Sequence, residues 1–202
     1  RLADPGPVPL VQPARITSPA APEALQGAVA AGILGCGSVI LGASETAGRL
    51  FVEIDEEAKK RGGDLREAAR AVVAGRRERK QAIPGYGHPE HKERDRRVDA
   101  LFEVSRKAGG GQHFVEIAQL VEDLIPAIVG KDLRLNVSAA IPAVLLGVGF
   151  PVGALKGVPI LARTASLIAH LNEEMSDPIG FALSYQATRE YEYTGAQPEA
   201  AQ

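Results

Sequence analysis

The sequence predicts an all-α protein. No run of its 202 residues alternates apolar and polar side chains with period two. Successive stretches instead space their apolar residues by three and four, with Pro and Gly as punctuation. Hydrophobic residues make up 45% of the chain but aromatics only 4%, so the core must be built from Ala, Val, Leu and Ile. That length suits one domain, or one domain with a smaller lobe.

The elements follow in order. Residues 1 to 22 hold six prolines (Pro5, Pro7, Pro9, Pro13, Pro19 and Pro22), which reads as an extended segment outside any central strand. APEALQGAVAAGILG reads as a helix with Pro22 in its first turn and small residues for close packing. GCGSVILGASE reads as a loop or turn. SETAGRLFVEIDEEAKKRGG is a helix capped by Ser44 and stopped by Gly62 and Gly63. DLREAARAVVAGRRERK is a helix with Asp64 as N-cap and a basic end that suits the helix dipole.

RRVDALFEVSRKAG is amphipathic through Val98, Leu101 and Phe102, and GGGQ ends it. HFVEIAQLVEDLIPAIVG places Phe114, Ile117, Leu120, Val121 and Leu124 at helical spacing. VSAAIPAVLLGVG and LKGVPILARTASLIAHLNEEM are more apolar helices, with Pro142 and Pro159 expected in or near first turns. The polar tail YEYTGAQPEAAQ reads as frayed.

Composition excludes several functions. A net charge of −2 offers no field for nucleic acid. A single cysteine, Cys36, rules out an intramolecular disulfide framework and a Cys-rich metal site, and fits a cytoplasmic protein. The sequence reading finds no apolar run of about 18 residues and predicts no membrane span. The chain starts at Arg1 without a Met or a signal-like stretch, and is read as a fragment.

The densest chemistry lies in IPGYGHPEHKERDRR, residues 83 to 97. Its Gly-Tyr-Gly turn lets backbone approach a ligand, and Lys92, Arg94, Arg96 and Arg97 supply donors for carboxylate or phosphate. Glu90, Glu93 and Asp95 balance that charge, so a solvated basic loop stands beside the ligand site as a reading. His88 and His91 are separated by Pro89 and have no third ligand at metal spacing, so no metal site is expected. GxSxG is absent, and Cys36 reads as a small buried residue rather than a nucleophile. Arg163, in PILARTASLIAH, interrupts an apolar helix, and is either a structural ion pair or a carboxylate clamp.

These motifs, in this order, resemble the citrate synthase superfamily, in particular short citryl-CoA lyase-like members. PGYGH followed by D-R-R resembles the family's PGYGH…DPR. LRLNVSAAIPAVL resembles its NVD segment, ILARTASLIAHLNEE its ARTxGxxAHxxE helix, and DPIG…YEYTG its closing RP…Y.G. ADPG and ILGCGSVILGASETA correspond less closely to ADH and GPLHGGANEA. The resemblance spans most of the chain, without the family's usual N-terminal portion.

The resemblance implies a helical homodimer with a large and a small domain and no metal or prosthetic group. Its expected domains are residues 1–38 and 139–202 for the large one and 39–138 for a small, CoA-binding one. The implied ligands are an acyl-CoA thioester and a 2-oxoacid, or the hydroxyacyl-CoA they form, with neither nucleic acid nor membrane as partner. Carried over by position, His88 serves as acid–base on the oxygen that alternates between ketone and alcohol. Arg97 and Arg163 hold substrate carboxylates. Pro84, Gly85, Tyr86 and Gly87 contact adenine through their backbone, with Lys92 and Lys131 near the CoA phosphates.

The departures bear on the reaction. Pro5 stands at the histidine of ADH, Ile40 (or Leu41 on a one-residue shift) at the histidine of LHGG, and Asp177 at the arginine before Pro178. Ser138 stands at the catalytic aspartate of NVD. A serine is a poor base for a thioester methyl group, and a lost acid or base costs about 10²–10⁴ in rate. Cleavage starts instead from an alcohol proton, which His88 can accept, leaving Ser138 a candidate for the rest of the proton path. The expected function is a citryl-CoA-type lyase. The alternatives are a condensing acyltransferase with an altered proton path and a noncatalytic CoA-binding homologue.

Overall fold

The computed structural model describes residues 8–87, 95–192 and 194–195. Among these it shows ten α-helices and no strand; one isolated antiparallel bridge joins Tyr86 to Leu135. The chain divides into two compact units, Arg1–Cys36 with Leu161–Gln202, and Gly37–Ile160.

The Gly37–Ile160 unit holds α3 (Ser38–Leu41), α4 (Ala43–Lys60), α5 (Leu65–Glu78), α6 (Arg96–Lys107), α7 (His113–Val129) and α8 (Val137–Gly147). Its core is aliphatic, as the composition requires. Leu50, Phe51 and Ile54 of α4 meet Ala69 and Val73 of α5 and Ile117, Val121 and Ile125 of α7. Several helix ends match the sequence. Asp64 accepts the Glu67 amide at 2.9 Å as N-cap of α5, and Gly62 and Gly63 follow α4 with positive φ.

Other ends differ. Ser44 lies inside α4 and is buried; Gly42 is the N-cap, because GCGSVILGASE forms the one-turn α3 and α4 starts at once behind it. Pro142 is the sixth residue of α8 rather than a first-turn residue, so it removes the amide that would bond the Ser138 carbonyl. The compact unit that begins at Gly37 runs on through α8 to Ile160. Ala139, Ala140, Ala143 and Leu146 of α8 are buried, and α8 packs on α4, α6 and α7. Leu155 seals that assembly against Gly48, where a Cβ would collide with its side chain.

The other unit holds α1 (Val11–Ala20), α2 (Leu25–Leu34), most of α9 (Gly157–Ser176) and α10 (Gly180–Glu190). Here residues 11–20 of the proline-rich start are helical, contrary to expectation. Pro13 falls in the first turn of α1, where amides have no helical partner, and Pro19 sits next to its end. Pro19 frees the Arg15 carbonyl, and Gly180 lies directly against that oxygen. The Arg15 guanidinium is buried and pairs with Glu173 and with Glu174 (3.3 Å), while Glu174 Oε1 accepts the Ile179 and Gly180 amides at 3.0 and 2.7 Å. One carboxylate thus ties α1 to the start of α10.

The expectation about membrane-length helices also needs correction. The stretch Val152–Ser176 is long and apolar enough, by length and composition alone, to cross a bilayer.

Candidate functional site

The turn at Pro84–Gly87 is built by hydrogen bonds to a segment about fifty residues away. The Asn136 amide donates to Gly85 O at 3.0 Å, and the Gly87 amide to Arg134 O at 2.7 Å. The Asn136 side chain works in both directions. Its Nδ2 donates to Gly87 O at 2.7 Å, and its Oδ1 accepts the Ser138 amide at 2.9 Å, so it caps α8. Gly85 has φ of 86°, and a Cβ there would lie 2.5 Å from that of Ala139. Glycine is needed for both the backbone conformation and the close approach to the first turn of α8.

The Tyr86 side chain points into the core. Its hydroxyl donates to Ala118 O at 2.7 Å, and burial, with the Glu122 carboxylate as a second cause, pushes its pKa well up. Tyr86 therefore pins the turn to α7 as a neutral phenol. Glu122 in turn accepts the Leu135 amide at 2.8 Å.

Asp95 joins Arg97 to the same place. It is the N-cap of α6, accepting the Arg97 amide at 3.0 Å. It also grips the Arg97 guanidinium side-on, through Nε at 2.9 Å and Nη2 at 2.7 Å. Its Oδ2 further accepts the Val137 amide at 3.1 Å. Burial would raise the Asp95 pKa, but hydrogen bonds and charge from Arg97, helped by the Val137 amide, outweigh it and hold the carboxyl below its ordinary range. Of the five guanidinium N–H groups of Arg97, this pairing leaves three, enough to receive a second carboxylate end-on.

Lys131 lies on the exposed turn after α7. It lines a cleft of about 600 Å³ whose apolar wall includes Ile83, Tyr86 and Val129. Arg77 and Lys80, at the end of α5, line the same cleft. The sequence reading treated both as dipole-matching charge at a helix end; the cleft forms only once α5 and α7 pack together.

The candidate residues thus fall into groups. Pro84, Gly85, Tyr86, Gly87, Arg97 and Ser138 come together around the start of α8, with Lys131 on the cleft that Tyr86 lines. Arg163 is half-buried on α9, in the other unit. His88 and Lys92 lie outside the described residues, as does Pro5. Ile40, at the position of a family histidine, is 41% exposed on α3 and brings no ionisable group. Among the described residues, no group of three His, Cys, Asp or Glu side chains is placed to hold a metal ion.

Comparison with known proteins decides the family. The model of the citrate synthase C-terminal domain matches residues 20–180. The chain belongs to the citrate synthase family.

Citryl-CoA lyase from Hydrogenobacter thermophilus superposes with a TM-score of 0.83 at 32% identity, covering 100% of this chain and 75% of that one. Two further likenesses bear on the fold alone. ATP citrate lyase from Methanothrix soehngenii, in complex with citrate and coenzyme A, has a TM-score of 0.68 at 24% identity, covering 98% of this chain and 33% of that one. Citrate synthase from Thermotoga maritima MSB8 has a TM-score of 0.71 at 22% identity, covering 99% and 52%. The all-α citrate synthase-like fold expected from the motifs is the fold observed. This family carries out CoA-related chemistry, and the chain is a member with Ser138 at the second position of α8.

Proposed function

We propose that this protein is a CoA-dependent carbon–carbon lyase of citryl-CoA type. It would cleave a 3-hydroxyacyl-CoA such as citryl-CoA to acetyl-CoA and a 2-oxoacid such as oxaloacetate. The observation that carries this reading is Ser138 at the second position of α8. Condensation needs a base for the thioester methyl group at that place, and a hydroxyl is not one. Cleavage removes the alcohol proton first, by His88 in this reading. The carbonyl then forms, the carbon–carbon bond breaks, and its electron pair moves to the α-carbon of the thioester as an enolate. A proton delivered to that carbon completes acetyl-CoA.

The surrounding residues support this assignment. Arg97, held by Asp95, presents its free edge to a substrate carboxylate. The cleft bounded by Ile83, Val129 and Lys131 has the apolar wall and cationic rim that an adenine nucleotide requires. The 32% identity to a citryl-CoA lyase points the same way.

Incubation with citryl-CoA, followed by assay of acetyl-CoA and oxaloacetate, tests the proposal. Turnover is expected, and His88→Ala should lower it about 10²–10⁴-fold. Condensation without cleavage would instead establish an acyltransferase. CoA binding with no turnover in either direction would establish a noncatalytic homologue.

We further propose that the working form is a homodimer closed along α9. Leu161, Ile168 and Met175 recur every seven residues and are 73%, 48% and 67% exposed, with exposed Ala165 and Asn172 between them. That repeat is the spacing of a helix seam facing another helix.

A further inference from the structure

Gly87 closes the turn and stands directly before His88 in the sequence, with φ of 79°. Glycine has more backbone freedom than any other residue. Left alone, it would leave the direction of the following chain undefined. Here it is held on both sides. Its amide donates to Arg134 O at 2.7 Å, and its carbonyl accepts Asn136 Nδ2 at 2.7 Å. The second bond fixes the carbonyl itself, and a planar peptide carries that orientation into the next residue.

The other end of the same side chain serves α8. The first four amides of a helix lack helical partners and form a ready site for an anion. In α8 all four are taken. Val137 donates to Asp95 Oδ2 at 3.1 Å and Ser138 to Asn136 Oδ1 at 2.9 Å. Ala139 and Ala140 both donate to Asn136 O, at 3.0 and 3.1 Å. The first turn of α8 therefore offers a reacting group no backbone donor. What it offers is the Ser138 hydroxyl, the sole polar side chain among residues 137–140. The cap at Asn136 sets where that residue sits. Capping alone does not call for asparagine, because serine, threonine and aspartate serve as well or nearly so. Of these four, asparagine alone pairs its acceptor with a separate amide donor, and both are in use here.

We propose that Asn136 is a positioning residue for the cleavage reaction. Its Oδ1 sets Ser138, and its Nδ2 sets the exit of the turn that leads to His88, so one rigid amide keeps the two groups in register. This rests on the lyase reading above. A misplacement of about 1 Å at a reacting group can cost about 10²-fold in rate, which is why such a register matters.

Two substitutions separate the roles of the amide. Asn136→Ser keeps a cap but is too short to reach Gly87 O, whereas Asn136→Ala loses both bonds. With citryl-CoA as substrate, both should lower kcat about 10–10²-fold and change KM less than about threefold. The serine variant should still melt a few degrees above the alanine variant, because its cap survives. A double-mutant cycle checks the route of the effect. In a His88→Ala background, Asn136→Ser should cost less than about twofold, since the group it positions is gone.

An unchanged kcat in Asn136→Ser overturns the assignment. So does a kcat that follows melting temperature across the two variants, which is the mark of a merely structural residue. A loss confined to KM overturns it as well, by placing the effect in ligand binding, and so does full additivity with His88→Ala. Each of these outcomes leaves the lyase reading intact. A wild type that cleaves no citryl-CoA overturns that reading and the assignment with it.

Discussion

Asp95 does the work of three residues. It caps α6, fixes the edge of Arg97, and receives the first amide of α8. Its carboxylate therefore positions a proposed substrate clamp and the helix that carries Ser138. Asp95→Ala removes an N-cap and leaves the Val137 amide and a part-buried guanidinium without their acceptor. A loss of about 1–3 kcal/mol is expected in urea denaturation. The pH dependence has a definite sign. The folded-state pKa is depressed, so the stabilisation is fully present above the ordinary carboxylate range, near pH 4. It is lost as pH falls from there through the lower folded value. Asp95→Asn can still cap the helix but has no charge to lose. Its stability deficit against wild type should therefore be largest at pH 7 and should shrink on acidification below pH 4. An equal deficit at pH 3 and pH 7 would show that charge has no part in the contact.

At the scale of elements, the prolines of α1 shape how that helix docks. Pro19 leaves the Arg15 carbonyl without its helical donor, and Gly180 fits against that oxygen because it has no side chain. In Gly180→Ala the new Cβ would strike backbone, which cannot rotate away. Overpacking of this kind costs about 1–3 kcal/mol, and the melting temperature should fall by several degrees. An unchanged melting temperature would mean that α1 and α10 are not held by this contact. The same helix shows where reading the sequence stops. The cap at Asp64 and the 3/4 spacing of α7 are local signals, and they led to the observed elements. In α1, proline's effect depends on its position in the turn, and a segment with six prolines read as extended. Ser44 failed as a cap because the apolar run before it coils into α3. The site was legible in part. PGYG, Arg97 and Ser138 stood out as residues, but their meeting depends on Asn136 and Asp95 bridging segments far apart in sequence. The cleft lined by Arg77, Lys80 and Lys131 was invisible, because it exists only where α5 and α7 pack and has no signature in the local sequence.

At the scale of the molecule, the exposed face of α9 needs an occupant. The most apolar 18 residues of Val152–Ser176 have a mean hydropathy of 1.3, and only 17% of them are buried. A lipid-spanning helix and a helix awaiting a partner pass the same compositional test, but their distribution of polar groups differs. Arg163 interrupts the apolar run, and Glu173 and Glu174 near its end are engaged with Arg15 of α1. A bilayer would have to take up that charge as well as the apolar seam. A second copy needs only the seam, and Leu161, Ile168 and Met175 give it one at seven-residue spacing. Ile168→Asp would set two carboxylates against an apolar surface across a two-fold interface, where one residue change counts twice. Light scattering coupled to size exclusion should find twice the chain mass for wild type and a single chain mass for the variant. Because Ile168 is 48% exposed within one chain, the isolated variant should retain its helical circular dichroism. A wild-type chain that elutes as a monomer would remove the dimer proposal. Partition of wild type into lipid vesicles, abolished by Ile168→Asp, would replace it with a membrane face.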